Sequence, residues 1–218
     1  MIELFYHGGW LLAAIVALSI GGWTLAVGKW LELRETLAEG ARRADTVIRH
    51  VRAREVERAM AVCRDHANAF SRMIMASICM DETDPKIFAR RIRPLLNAEA
   101  AGMRRHLPLI GTAAAILPLL GLLGTVVGIV RMFAAITEYG SMDLYFVADG
   151  ISHALVTTQA GLAMGMPLVL CHGWLGLRAQ CCIDTMTQYS KEVQVSCLTL
   201  FDNDEDLRMR LPASTLRL

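Results

Sequence analysis

The chain has 218 residues, of which 54% are hydrophobic, with a formal net charge of +1 and a mean hydropathy of +0.39. That is too apolar for an ordinary soluble domain. The balanced charge points to neither a nucleic-acid binder nor an acidic, solvating chain. Aromatic residues make up only 6%, so the apolar content is mostly Leu, Ala, Val, Ile and Met, and no alternating runs bounded by turn pairs suggest strands. The expected fold class is an all-α membrane protein.

The first span is read at about Gly8 to Gly28, a stretch without charge. About 20 residues rising 1.5 Å each cross a hydrocarbon core of about 30 Å. Its flank contains Glu3 and no Lys or Arg, and basic residues begin after it at Lys29 and Arg34, which does not fit a signal peptide. Residues 1–29 are therefore assigned to an outer N-terminal segment and first membrane helix.

Residues 30–106 read as a helical region in the cytoplasm. Trp30 to about Arg54 continues the first span, and Glu55 to Met80 places Val56, Ala59, Met60, Val62 and Cys63 at helical spacing, with a break around His66–Ala69. Asp84–Pro85 is a turn signal, and Pro85 suits the first turn of the helix leading to the second span.

The second span is read as 107–136, with Pro118 inside it; a membrane helix tolerates proline where neighbours satisfy the freed carbonyl. A short outer loop, 137–143, leads to a third span at 144–178. Helix is expected to continue over 179–201, followed by an acidic cluster at Asp202–Asp206 and a flexible tail, 202–218. Sixteen Lys and Arg lie between Lys29 and Arg105, against none before Gly8 or between Thr137 and Leu144. The positive-inside rule then places residues 29–106 and the C-terminus in the cytoplasm.

The chemistry-bearing residues concentrate in the last two spans. Gly121, Gly124 and Gly128 in the second, and Gly161 and Gly165 in the third, are small residues at three- and four-residue spacing, the pattern that lets helix backbones approach. Asp149, His153 and Thr157 fall at i, i+4 and i+8, with Ser152 and Thr158 flanking that stripe. Counting helical rise from the outer ends, Asp149 lies about 8 Å deep, Thr125 about 17 Å and Thr158 about 21 Å, so the two threonines share a middle depth. A hydroxyl there bonds across helices or holds a file of waters, and several on one stripe favour a polar lumen. No Asp, Glu, Lys or Arg occupies the centre of any span. A proton relay usually needs a titratable group at mid-membrane, so either this is no proton pathway or a partner helix supplies the group.

The six cysteines, Cys63, Cys79, Cys171, Cys181, Cys182 and Cys197, show no metal-site spacing, and neither a disulfide nor a cofactor is expected. No nucleophile–base pair or phosphate loop suggests an enzyme.

Two stretches, PLLGLLGTVVGIVRMF (Pro118–Phe133) and GISHALVTTQAGLAMGMPL (Gly150–Leu168), closely resemble the paired signature of the ExbB/TolQ/MotA proton-channel family. The three-span layout with a cytoplasmic helical region resembles ExbB and TolQ in particular. The resemblance implies a homopentamer in the bacterial inner membrane whose second and third spans line a pore. It further implies a dimer of a single-span, ExbD- or TolR-like partner inside that pore, carrying the membrane Asp, and an envelope-spanning protein of the TonB or TolA type. By motif position Thr125 and Thr158 match the family's pore-lining threonines and Pro118 its second-span proline. His153 stands where the family usually has Glu, which implies either a polar contact between subunits or a pH-responsive group at the outer mouth. Gln159, His172 and Gly173 also depart from the pattern. A MotA-like stator would require four spans, and a non-conducting membrane scaffold is the alternative of a different class.

Overall fold

A computed structural model describes residues 2–53, 55–64, 68–80, 84–139 and 144–201. The loop residues 140–143, the acidic cluster and the rest of the tail lie outside the described residues, as do Arg54 and His66. Among the described residues the structure is helical and contains no strand: α1 (Ile2–Arg52), α2 (Val56–Arg64), α3 (Ala69–Cys79), α4 (Pro85–Arg104), α5 (Leu107–Tyr139) and α6 (Leu144–Phe201). Three helical stretches, Trp10–Arg52, Lys86–Ala134 and Gly150–Cys197, are each long and apolar enough to cross a membrane. The helices form two compact units, Met1–Trp30 with His106–Gly176 and Leu31–Arg105 with Leu177–Leu218.

The first unit packs the beginning of α1 against α5 and α6. Its interior is made by Leu12 and Ile15 of α1, Ile110 and Leu117 of α5, and Leu168 and Leu175 of α6, all buried. Gly22 brings the three helices together, since a Cβ there would lie 2.7 Å from the Leu168 side chain and 3.5 Å from Ala113 Cβ. The outside is equally apolar: Ile20, Leu119, Leu122, Val130, Phe133, Leu155 and Leu170 are exposed. A soluble monomer rarely shows so much apolar surface. Helices satisfy their own backbone groups, so such a surface suits hydrocarbon.

The second unit is a helical bundle with a conventional core. Ala44, Val47, Ile48 and Val51 of α1 pack with Ala59, Met60 and Cys63 of α2, Ile74 and Ile78 of α3, and Val193 and Cys197 of α6. Two of its helix starts are capped by side chains: Asn68 Oδ1 accepts from Ser71 N (2.8 Å) before α3 and Asp84 Oδ1 from Lys86 N (2.8 Å) before α4, with Pro85 in the first turn of α4. Phe70, buried, lies against Gly40 and meets Tyr189 edge-on at 6.4 Å between ring centres. Arg72 grips Glu99 with two bonds of 2.6 and 2.7 Å, tying α3 to α4, and Arg52 reaches Glu192 at 3.0 Å.

Burial sets the thiol chemistry of this unit. Removal from water pushes Cys63 up to about 11 and Cys197 up to about 12, with a smaller contribution from nearby Cys79 in each case. The thiolate is the reactive species. At pH 7.5 a maleimide is therefore expected to label exposed Cys181 first and to leave Cys63 and Cys197 unmodified until the unit unfolds, as read by peptide mass spectrometry. Because the folded values lie above the ordinary 9.0, the stabilisation carried by these neutral thiols is complete below pH 9 and is lost as pH rises through the folded values.

Candidate functional site

The candidate site is the antiparallel seam between α5 and α6 in the first unit. Small residues on each helix receive the other, level by level. A Cβ on Gly128 would lie 2.9 Å from Ala154 Cβ, and one on Gly150 3.0 Å from Met132 Cβ. Next, a Cβ on Gly124 would overlap the Thr157 side chain. One turn further, Gly161 faces Gly121 so closely that a Cβ would lie 3.0 Å from the Gly121 Cα and 2.7 Å from the Leu117 carbonyl oxygen. Gly165 then receives the Pro118 ring, at 2.9 Å to Cδ, and Gly111 receives His172, at 2.9 Å to Nε2. Only glycine permits backbones this close, which is how van der Waals packing associates helices in lipid.

The hydroxyls of the seam are held in different ways. Thr158 Oγ1 donates across it to the Gly121 carbonyl oxygen at 2.9 Å and is partly buried. Thr157 is 3% exposed and donates to Ala154 O of its own helix at 2.9 Å. Thr125 is partly exposed and donates to Leu122 O at 2.6 Å. Ser152 is exposed on α6. Asp149 and His153 belong to α6, but their side chains lie outside the described residues.

Pro118, Gly121, Gly124, Gly128, Thr157, Thr158, Gly161 and Gly165 thus meet along one seam, whereas Thr125 bonds within its own helix and Ser152 is exposed on α6. Sequence reasoning did not pair His172 with Gly111. The signal for that pair is a register: 111 with 172 and 118 with 165 have the same sum, as antiparallel neighbours must. Between residues 107 and 130, and between 150 and 177, there is no Asp, Glu, Lys or Arg. No group of His, Cys, Asp and Glu able to hold a metal ion occurs among the described residues.

A pair of membrane helices that bears hydroxyls and no charge over residues 107–130 and 150–177 fits a path for a small ion better than a reaction centre. Residues 34–188, well over half of the chain, match the family described as MotA/TolQ/ExbB proton channel family. The chain belongs to the MotA/TolQ/ExbB family. Its members are channel and stator proteins rather than enzymes. Similar proteins include an ExbB-like biopolymer transport protein of Synechocystis sp., 32% identical over 76% of this chain and 66% of that protein. The Tol-Pal system protein TolQ of Haemophilus influenzae is 33% identical over 50% of the chain and 48% of its own length. The biopolymer transport protein exbB1 of Vibrio cholerae is 40% identical over 34% and 37%. The chain thus spans between about a third and about two thirds of these relatives. The family match contains all of α5 and most of α6, and with them the whole seam. The protein is accordingly a multi-pass membrane protein of a proton-channel family.

Proposed function

We propose that this chain is the channel subunit of an ion-driven machine in the bacterial inner membrane, its N-terminus outside and its C-terminus in the cytoplasm. Several copies, five by the resemblance, surround a dimer of a single-span, ExbD- or TolR-like partner. Proton flow past the threonine level drives that dimer, and a TonB- or TolA-like protein carries the work across the envelope, for uptake or for envelope maintenance. The observation that carries this reading is the pairing of mid-span hydroxyls with a complete lack of carboxylate or cation in residues 107–130 and 150–177. Hydroxyls pass protons along hydrogen-bonded water but do not store them, so the carboxylate that carries protons past the threonine level comes from another chain. Thr125 and Thr158 line the path beside Thr157 and Ser152. Asp149 and His153 stand at the outer mouth or between subunits, and the glycines with Pro118 hold α5 on α6.

Isolation of the chain from its native membranes in mild detergent tests this directly. The expected product contains several copies of the chain together with a smaller protein whose one span bears a carboxylate, and vesicles holding that complex leak protons down an imposed pH gradient. Recovery of the chain alone, in vesicles that hold the gradient like protein-free ones, overturns the proposal.

A further inference from the structure

The proposed path has hydroxyls at its middle depth, and the structure shows something different toward the other end of the seam. There His172, half-buried, lies over Gly111, with its Nε2 where a Cβ on that glycine would be 2.9 Å away. A groove of about 540 Å³ opens beside this contact, lined by Pro108, Gly111, Thr112, Ala114, Ile116 and His172 among others. That volume holds several waters, provided polar groups anchor them. Two such groups line it. One is the imidazole; the other is the Thr112 hydroxyl, which donates to Pro108 O at 2.9 Å and keeps its lone pairs free to accept.

Among the groove residues His172 is the sole titratable group. Nearby in the chain, α1 carries only the charge of Lys29 between Gly8 and Trp30, and it is buried; Arg104, Arg105 and His106 precede α5, and the next charged residue along α6 is Arg178. Imidazole is the side chain that ordinarily changes charge around neutral pH, and an ionisable group inside a span typically faces a water-filled cavity and marks an ion path.

We infer that His172, seated over Gly111, is a proton-binding site at the inner mouth of the channel, passing protons from the conducting path through the groove to the cytoplasm. The inference rests on the proton-channel reading above. One N–H bond forms when a ring nitrogen lone pair takes a proton arriving from the path. One N–H bond breaks when the imidazolium gives a proton to groove water, and the ring returns to its neutral form with no change of oxidation state. Gly111 is the positioning residue, because any side chain there displaces the ring.

Everted membrane vesicles carrying the complex with its natural partner, loaded with acid buffer and a pH dye, expose the inner mouth to the bath. His172→Gln is expected to slow proton efflux about tenfold, less than the roughly hundredfold or more that a positioned proton-transfer group contributes to a reaction. Adding imidazole to the bath, a soluble base that can take the place of the missing ring, should restore most of the flux. Gly111→Val should slow efflux with His172 still present. Thr158→Val should abolish efflux with no rescue by imidazole. Wild-type efflux in His172→Gln beside a dead Thr158→Val overturns the His172 assignment alone. Slow efflux in an assembled His172→Gln complex that imidazole leaves unchanged also overturns it, since a merely structural histidine is not replaced by a soluble base. Normal efflux in Thr158→Val removes the threonine-level path of the proposed function, whatever the His172 variants do.

Discussion

Leucine at Gly124 is expected to separate α5 from α6 and to abolish the folded, assembled protein. The Cβ alone would lie 2.6 Å from Thr157 Cβ, closer than real Cβ atoms come to any neighbour, and 3.2 Å from its Cγ2. Thr157 cannot turn away cheaply, because it is 3% exposed and its hydroxyl is bonded to Ala154 O. Even alanine overpacks the seam, at a cost of about 1–3 kcal/mol. Leucine adds three more carbons against a neighbouring backbone that Gly121 and Gly161 hold in place. Thermal unfolding in detergent, followed by tryptophan fluorescence and gel filtration, should show Gly124→Ala melting well below the wild type and Gly124→Leu eluting as aggregate. The double variant Gly124→Ala with Thr157→Gly should recover most of the loss, since neighbouring residues are not additive. Gly28→Ala, where nothing lies within 4 Å of the added carbon, serves as control and should be neutral or slightly stabilising. A Gly124→Ala protein that melts with the wild type would remove the seam as an energetic feature.

The spans were legible because a run without charge is a property of composition, which needs no partner. The continuation of the first and third spans as helix was legible for a similar reason: nothing in the sequence around Trp30 or Leu177 interrupts them, and α1 and α6 run through both positions. The glycine spacing also pointed to close helix approach. Spacing gives an angle around a helix, however, and not the neighbour found at that angle. Asp149, His153, Thr157 and Thr158 look like one polar stripe in the sequence, yet Thr157 faces Gly124 while Thr158 bonds Gly121. The same limit hid Gly40, which makes room for Phe70 from another helix, and Gly111, which makes room for His172. Each of those glycines looks like an isolated helix weakener until its partner, 30 or more residues away, is placed against it.

Thr158→Val is the change expected to affect conduction most while disturbing the fold least. Valine keeps the β-branched shape and exchanges the hydroxyl for a methyl group of similar size. The single bond lost is the 2.9 Å donation from Oγ1 to Gly121 O. That carbonyl keeps its own helical donor, so it is not left bare, and an interhelical side-chain bond in a membrane is worth about 0.6 kcal/mol on average and under 2 at most. Stability and copy number should therefore stay near wild type. If Thr158 lines the proton path, the same substitution puts an apolar group where water must be held, and dewetting of a narrow passage stops flow outright. Proton efflux from vesicles is expected to fall to the protein-free background, with the purified complex eluting at its usual volume. Thr158→Ser, which restores the hydroxyl without the methyl, should conduct. The contrast between valine and serine separates a missing hydroxyl from a disturbed helix contact. Normal efflux with valine would mean that Thr158 only ties α6 to α5, and that the ions travel elsewhere.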